Sequence, residues 1–247
     1  MIRAGTSGYS YKEWKGSFYP AKLAPSAMLA YYAERLPAVE INNTFYHMPK
    51  REVVAGWASQ VPATFRFAVK VSQRITHRKR LKEVEDELDY LLDQLEPMGD
   101  RLGLLLVQLP PNLRQDLARV ERFLDHLAGR ARAAFEFRHE SWLDDAVFAC
   151  LRARGAALVA SESDDGAATL QPTAPFGYLR LCRSEYGARD LGAWVERLRP
   201  LAWDDAYVFF KHEQAGPALA EEFNALAGHC RAVGVRRGDR ADEREAG

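Results

Sequence analysis

Short apolar runs recur along the chain, and nearly every one closes on a polar or charged side chain. The runs are rich in β-branched, aromatic, Leu and Ala residues. Several are unbroken enough to be buried on both faces, as the strands of a parallel sheet are. The eight predicted strands are Ile2–Ser7, Ala38–Thr44, Phe65–Ser72, Leu102–Leu109, Ala133–His139, Ala156–Glu162, Gly177–Cys182 and Ala206–His212.

Amphipathic helical patterns lie between most of these runs. Their apolar residues recur at three- and four-residue spacing, which is typical of a helix that packs on a sheet. The predicted helices are Ser26–Leu36, Leu81–Leu95, Leu117–Leu127, Ser141–Arg154, Leu191–Leu201 and Pro217–His229. The alternation predicts an α/β fold, a single (β/α)8 TIM-like barrel, in which the carboxyl ends of the strands form one shared active-site mouth.

One connection departs from the alternation. The segment 163–176 is rich in turn-forming residues and is too short for a full crossover helix. We therefore expect a distorted barrel whose sixth helix is short or missing. The barrel domain is predicted over residues 1–235, and the highly charged segment 236–247 is predicted to be a disordered tail.

Composition narrows the classes of function. The formal net charge is zero, which argues against bulk attraction to nucleic acid or to a membrane surface. The three cysteines are too widely spaced for a zinc motif, so reduced thiols and no metal are expected. Without a signal-peptide pattern or an apolar run of about 20 residues, we expect a cytoplasmic protein. Cofactor and oligomeric state stay open.

The second and third predicted strands offer the first candidate groups. A period of two places Glu40 and Asn42 on one strand face, where they could serve as general base, metal ligand or sugar-hydroxyl contact. The structural alternative is a carboxylate buried beside a cation. Lys70 is either a base or Schiff-base nucleophile, or the ion-pair partner of Glu40.

A basic segment, Arg74–Arg80, follows the third strand. Positive charge at the start of a helix opposes the helix dipole, so an anion at the barrel mouth would be a suitable partner. The alternative is a solvated loop paired with the acids of the following helix. We take His77, with Ser72 just before the segment, as the candidates here.

The fifth strand ends in the densest group of chemically capable residues. Glu136 and Arg138 share a face, His139 stands at the strand end, and Trp142 could stack on a ring. Ser141 has a sufficient structural role as a helix cap. Elsewhere, Gln108 and Arg180 close the fourth and seventh strands.

Five sequence blocks resemble the DUF72 (YecE-like) family. They are GTSGYSYKEWKGSFYP at Gly5–Pro20, VEINNTFYHMP at Val39–Pro49, FAVKVSQRITH at Phe67–His77, LLLVQLPP at Leu104–Pro111 and AFEFRHESW at Ala134–Trp142. The resemblance implies a TIM-barrel-like fold and no established activity. The recurring polar positions that it implies are Glu40, Asn42, Thr44, Lys70, Ser72, His77, Gln108, Glu136, Arg138, His139, Ser141 and Trp142. The chain departs from the family pattern at Tyr9, Cys182-Arg183 and Lys211-His212.

The leading hypothesis is an enzyme that acts on a polar, anionic small molecule by acid–base chemistry. Its candidate catalytic groups are Glu40, Lys70, Glu136 and His139. Its candidate substrate-binding groups are Asn42, Ser72, His77, Gln108, Arg138, Trp142 and Arg180. One alternative is a divalent-metal-dependent hydrolase or isomerase, with the ligands Glu40, Glu136, His139 and Glu162. The other is a non-catalytic protein that binds phosphate or nucleic acid through the basic segment.

Overall fold

Eight parallel strands close into a barrel in which each strand pairs with its sequence neighbours and β1 pairs with β8. This computed structural model describes residues 1–238, with side chains described through residue 228. The predicted fold class is confirmed. The strands are β1 (Ile2–Ser7), β2 (Ala38–Ile41), β3 (Arg66–Lys70), β4 (Leu102–Gln108), β5 (Ala133–Glu136), β6 (Ala157–Glu162), β7 (Phe176–Leu181) and β8 (Asp205–Phe210).

Helices cover the outside of the barrel. They are α1 (Met28–Ala33), α2 (Arg51–Ser59), α3 (Glu85–Leu95), α4 (Leu117–Leu127), α5 (Asp145–Ala153), α6 (Ala188–Leu198) and α7 (Gly216–Gly238). α2 was not predicted, because its apolar stripe is sparse and no side chain caps its start. α7 includes the first three residues of the predicted tail, and 239–247 lie outside the described residues. No helix in the described part is long and apolar enough to cross a membrane.

The connection between β6 and β7 contains no helix, as the sequence predicted. Its residues 163–167 are exposed, and its end returns to the start of β6. There the Thr173 hydroxyl accepts a hydrogen bond from the Leu158 amide and donates one to the Ala156 carbonyl, both at 2.8 Å. A side chain thus satisfies backbone groups at this point of the barrel wall.

The barrel interior has an apolar belt across its middle, lined by alternate residues of the strands. The buried cluster there is Ala38, Ala68, Leu104, Leu106, Ala134, Ala157, Val159, Phe176, Tyr178, Tyr207 and Phe209. The intervening residues face outward into a second, larger cluster under the helices. Because the period is two, the inward-facing residues that precede or follow the belt along a strand face one of the two barrel mouths.

Six strands end one to three residues earlier than predicted, and three of these endings bear on the site. A 3₁₀ turn at Asn43–Phe45 ends β2 at Ile41, β3 ends at Lys70, and β5 ends at Glu136. The polar residues Asn42, Ser72, Arg138 and His139 therefore lie in the loops just beyond the strands. These loops belong to the mouth at the carboxyl ends of the strands, called here the carboxyl-end mouth.

Candidate active site

Two buried carboxylates share one buried arginine at the carboxyl-end mouth. Arg180 of β7 donates from Nη2 to Glu40 Oε1 at 2.9 Å and from Nη1 to Glu136 Oε2 at 2.8 Å. The three residues are 4%, 0% and 3% exposed, respectively. The alternation of side chains along a strand brings them together. Arg180, Glu40 and Glu136 each lie two residues after a belt residue of their strand, so all three face the same mouth. We call Glu40, Arg180 and Glu136 the ion triad.

Glu40 is held as an anion by four donors. Besides Arg180, the hydroxyls of Ser7 and Tyr178 donate to it, Tyr178 at 2.5 Å, and Asn42 Nδ2 donates at 2.9 Å. Burial raises the pKa of Glu40, but the charge of Arg180 and these hydrogen bonds outweigh it and leave the pKa below its usual range. The carboxylate is therefore ionised at neutral pH.

Glu136 connects the triad to the outer part of the mouth. Gln108 Nε2 donates to Glu136 Oε2 at 2.8 Å, and Arg138 Nε donates to Oε1 at 3.3 Å. Burial opposes ionisation here too, yet Arg180, Gln108 and Arg138 lower the pKa of Glu136 below its usual range. Because the Gln108 amide donates to Glu136, its Oε1 points to Lys70 Nζ, which donates to it at 2.9 Å.

Lys70 has an amine without a carboxylate partner. Its Nζ lies 4.2 Å from the centroid of the Phe45 ring, and no described acid lies within ion-pair distance of it. Burial and the positive charge of Arg180 lower the pKa of Lys70 to about 8, against a smaller opposing effect of the two glutamates. The Lys70–Glu40 ion pair considered from the sequence is thus wrong, because Arg180 takes that place.

His77 stands beside Lys70 on the same aromatic residue. Its ring packs edge-on against Phe45 at 4.9 Å, and its Nδ1 lies 2.9 Å from the Thr76 hydroxyl. Burial, followed by the charges of Lys70 and Arg138, lowers the pKa of His77. The ring is neutral at pH 7, so the expectation that His77 supplies positive charge is corrected: it offers hydrogen bonds instead.

Three candidates lie outside this constellation. Trp142 is 1% exposed, stacked on Phe137 at 4.5 Å, and its indole N–H donates to the Leu113 carbonyl. It is a core residue without an open face for a substrate, which corrects its predicted stacking role. His139 Nδ1 accepts from the Ser141 amide and caps a 3₁₀ turn. Ser72 lines a separate cavity of about 440 Å³.

The metal-ligand set proposed as an alternative does not assemble. Glu162 accepts hydrogen bonds from Tyr186 and Trp194, away from the triad, and Arg180 stands between Glu40 and Glu136. Among the described residues, no group of three or more His, Cys, Asp or Glu side chains is arranged to hold a metal ion.

Two of the four arginine and lysine side chains of the basic segment share one acid of α3. Arg74 and Lys79 both pair with Glu87, at 3.0 and 2.8 Å. For Arg74 and Lys79, this favours the paired interpretation over a phosphate-binding surface.

Sequence reasoning did not select three residues that the structure places in the site: Ser7, Tyr178 and Phe45. Strand parity could have found Tyr178, because it shares a face with Arg180. Ser7 could have been found as well, because it is the last residue of the first strand and so lies at the carboxyl-end mouth. Phe45 lies in the turn after β2, and no periodicity points to it.

A closed parallel barrel with an ion network and a low-pKa lysine at its carboxyl-end mouth has the architecture of the TIM-barrel class. The chain belongs to the family described as "Protein of unknown function DUF72", whose profile matches residues 3–242. The resemblance noted in the sequence is confirmed.

Two curated relatives are both named as UPF0759 proteins. The chain is 32% identical over 140 residues to UPF0759 protein YecE of Escherichia coli (strain K12), covering 56% of this chain and 49% of the relative. It is 29% identical over 150 residues to UPF0759 protein YunF of Bacillus subtilis, covering 58% and 52%. The matches thus span about half the length of these relatives.

Solved structures share the fold. A DUF72 family protein from Thermotoga maritima superposes with a TM-score of 0.76 at 26% identity, covering 92% of this chain and 99% of the other. One from Enterococcus faecalis gives 0.76 at 19% identity, covering 92% and 96%. The second similarity concerns the fold alone.

Proposed function

We propose that this protein is an enzyme that performs acid–base chemistry on a polar, anionic small molecule at the carboxyl-end mouth. The observation that carries the proposal is the amine of Lys70, which has a pKa of about 8 and no carboxylate partner beside the ion triad. An amine with a pKa near neutrality can accept a proton from a substrate and return it. Barrel enzymes place their chemistry at this mouth.

The surrounding charges support an anionic substrate. Among the described side chains of the site, Lys70, Arg138 and Arg180 face two carboxylates, so the cations exceed the acids by one when Lys70 is protonated. Arg138 is 48% exposed and makes one 3.3 Å contact to Glu136, so its guanidinium can also bind a carboxylate or phosphate. Arg180 has both terminal nitrogens on the glutamates and acts by holding them.

In this proposal the glutamates do not exchange the proton themselves. Both have lowered pKa values and are ionised, so they provide a fixed negative field below Lys70. Gln108 positions the Lys70 amine, because it accepts a hydrogen bond from that amine and donates one to Glu136. His77, neutral and next to the amine, is placed to hydrogen-bond a substrate oxygen.

The test combines binding and turnover. The melting temperature is measured with a panel of carboxylates and phosphate esters at constant ionic strength. A compound that binds the folded state raises it by mass action. Arg138→Ala should abolish that rise. Any stabilising compound is then followed by NMR between pH 6 and 9.5, where conversion should increase with a midpoint at about 8.

Lys70→Met should stop conversion, while Lys82→Met, a matched change of an exposed lysine, should not. No change in melting temperature across the whole panel would argue against an anionic substrate. Unchanged turnover in Lys70→Met would argue against the assigned base.

A further inference from the structure

A second charged layer lies at the opposite opening of the barrel, called here the amino-end mouth. Arg66 begins β3 two residues before the belt residue Ala68, and Arg132 stands two residues before the belt residue Ala134. Arg3 of β1 joins them, 9% exposed. The period of two that carries Lys70 and Glu136 to one mouth thus carries arginines from alternate strands to the other.

Acids do not balance these arginines. Asp205, at the start of β8, accepts from Arg3 Nε at 3.1 Å and lies 3.9 Å from Arg132. Arg66 has no carboxylate partner among the described residues; its Nη1 donates to the carbonyls of Ala63 and Phe65. With Asp100 at the rim also counted, the described cations of this layer still exceed its acids by one.

The layer opens into a cavity of about 660 Å³. Arg66, Arg132, Asp205 and Tyr207 line it, together with glycines of the loops before β4, β5 and β6. Two further arginines on its wall, Arg130 and Arg154, are already held by acids of α3 and α4. They shape the cavity without contributing free charge.

Tyr207 lies in the belt just inside this mouth. Its side chain is 1% exposed, yet its hydroxyl makes no hydrogen bond to any described residue. Burial and Asp205 raise its pKa, with Arg3, Arg132 and Arg66 opposing, so the same three arginines surround the phenol electrostatically. A neutral hydroxyl is a donor for an oxyanion.

We propose that the amino-end mouth is a second ligand site, which binds an oxyanion of the phosphate type between Arg66, Arg132 and the Tyr207 hydroxyl. Guanidinium groups present paired N–H donors that match phosphate geometry, and a partly enclosed cation without a counterion favours an anionic partner. The alternative, a layer that only closes the bottom of the barrel, needs no ligand. This site is independent of the function proposed for the carboxyl-end mouth.

The experiment measures binding of inorganic phosphate by calorimetry at pH 7.5, with chloride keeping the ionic strength constant. Arg132→Gln should weaken phosphate at least about 10-fold, since a charge-assisted hydrogen bond is lost. Tyr207→Phe should weaken it severalfold without lowering the melting temperature of the ligand-free protein, because the hydroxyl has no protein partner.

Two more variants fix the sign and the place of the effect. Asp205→Asn removes the negative charge of the layer and should tighten phosphate. Arg122→Gln, a matched change of an exposed arginine on α4 that does not line the cavity, should leave phosphate affinity within about twofold. Glycerol 3-phosphate in parallel shows whether an ester or the free ion binds more tightly, and either result supports the site.

Absence of phosphate binding would overturn the proposal. So would binding that survives Arg132→Gln and is lost in Arg138→Gln, which would place the anion at the carboxyl-end mouth and support the proposed function instead. Phosphate affinity that is unchanged in Arg132→Gln, Tyr207→Phe and Asp205→Asn alike would also overturn it, because phosphate would then bind outside this layer.

Discussion

Strand periodicity brings arginines to both mouths of this barrel, but the two sets differ in burial and in ion pairing. At the carboxyl-end mouth, Arg180 is deeply buried and every terminal nitrogen of its guanidinium contacts a carboxylate. At the amino-end mouth, Arg132 is 47% exposed and has two weak contacts, with Asp205 at 3.9 Å and with the Phe176 ring centroid at 5.3 Å. A charge removed from water must be paired, whereas a charge left near water can stay available for a ligand. Burial therefore separates arginines that build the structure from those free to bind.

Replacing Arg180 should give the largest effect on stability. Arg180→Met leaves Glu40 and Glu136 buried without their counterion, and we expect a loss of about 3–5 kcal/mol in the free energy of unfolding. Urea denaturation at pH 7 measures it. Arg138→Met, at the same mouth but half exposed, should cost no more than about 1 kcal/mol. Equal effects of the two changes would contradict the distinction drawn between buried and exposed charges.

The second-largest loss of stability is expected when the glycine next to Tyr207, Gly103, is replaced. A Cβ on Gly103 would lie 2.9 Å from the Tyr207 hydroxyl and 3.1 Å from its Cζ, so the ring must shift. Gly103→Ala should cost about 1–3 kcal/mol by overpacking. Combining it with Tyr207→Phe should recover part of the loss in a double-mutant cycle. Additive effects would show that the ring does not abut this strand.

The smallest effect concerns the pH dependence of stability. Lys70 has a folded-state pKa of about 8, below the unfolded value of 10.5. Between these values the unfolded chain binds more protons, so the free energy of unfolding should rise as pH increases from about 8 to 9.5. Lys70→Met should lack this rise relative to the unchanged protein, whereas Lys82→Met should keep it. A flat difference between the unchanged protein and Lys70→Met would place the lysine pKa near its usual value.

The barrel was predictable because its strands are short, apolar and regularly spaced. β1 and α4 have the predicted bounds, and the connection without a helix was recognised from its turn-forming composition. Strand ends were less predictable. Asn42 and Arg138 still fit the strand alternation, but a 3₁₀ turn begins directly after Asn42 and β5 ends two residues before Arg138.

The site was predictable only at the level of which residues approach each other. Parity brought Glu40, Glu136 and Arg180 to one mouth, but it does not tell which cation a carboxylate chooses. Lys70 and Arg180 were both candidates, and the long arm of Arg180 can bridge two acids where an amine reaches one. The prediction for Trp142 failed for a different reason. Trp142 lies beyond the end of the strand, where side-chain alternation no longer tells whether a residue faces the helices or the mouth.

The connection between β6 and β7 has a consequence for engineering. Elsewhere most crossovers are held to the barrel by a packed helix, but residues 163–167 lie exposed in a short turn closed by a Ser163–Gly166 bridge. New chain ends are best tolerated at such a place, since few buried groups depend on its continuity. A circular permutant opened between Gly166 and Ala167, or a reporter domain inserted there, should keep both mouths intact.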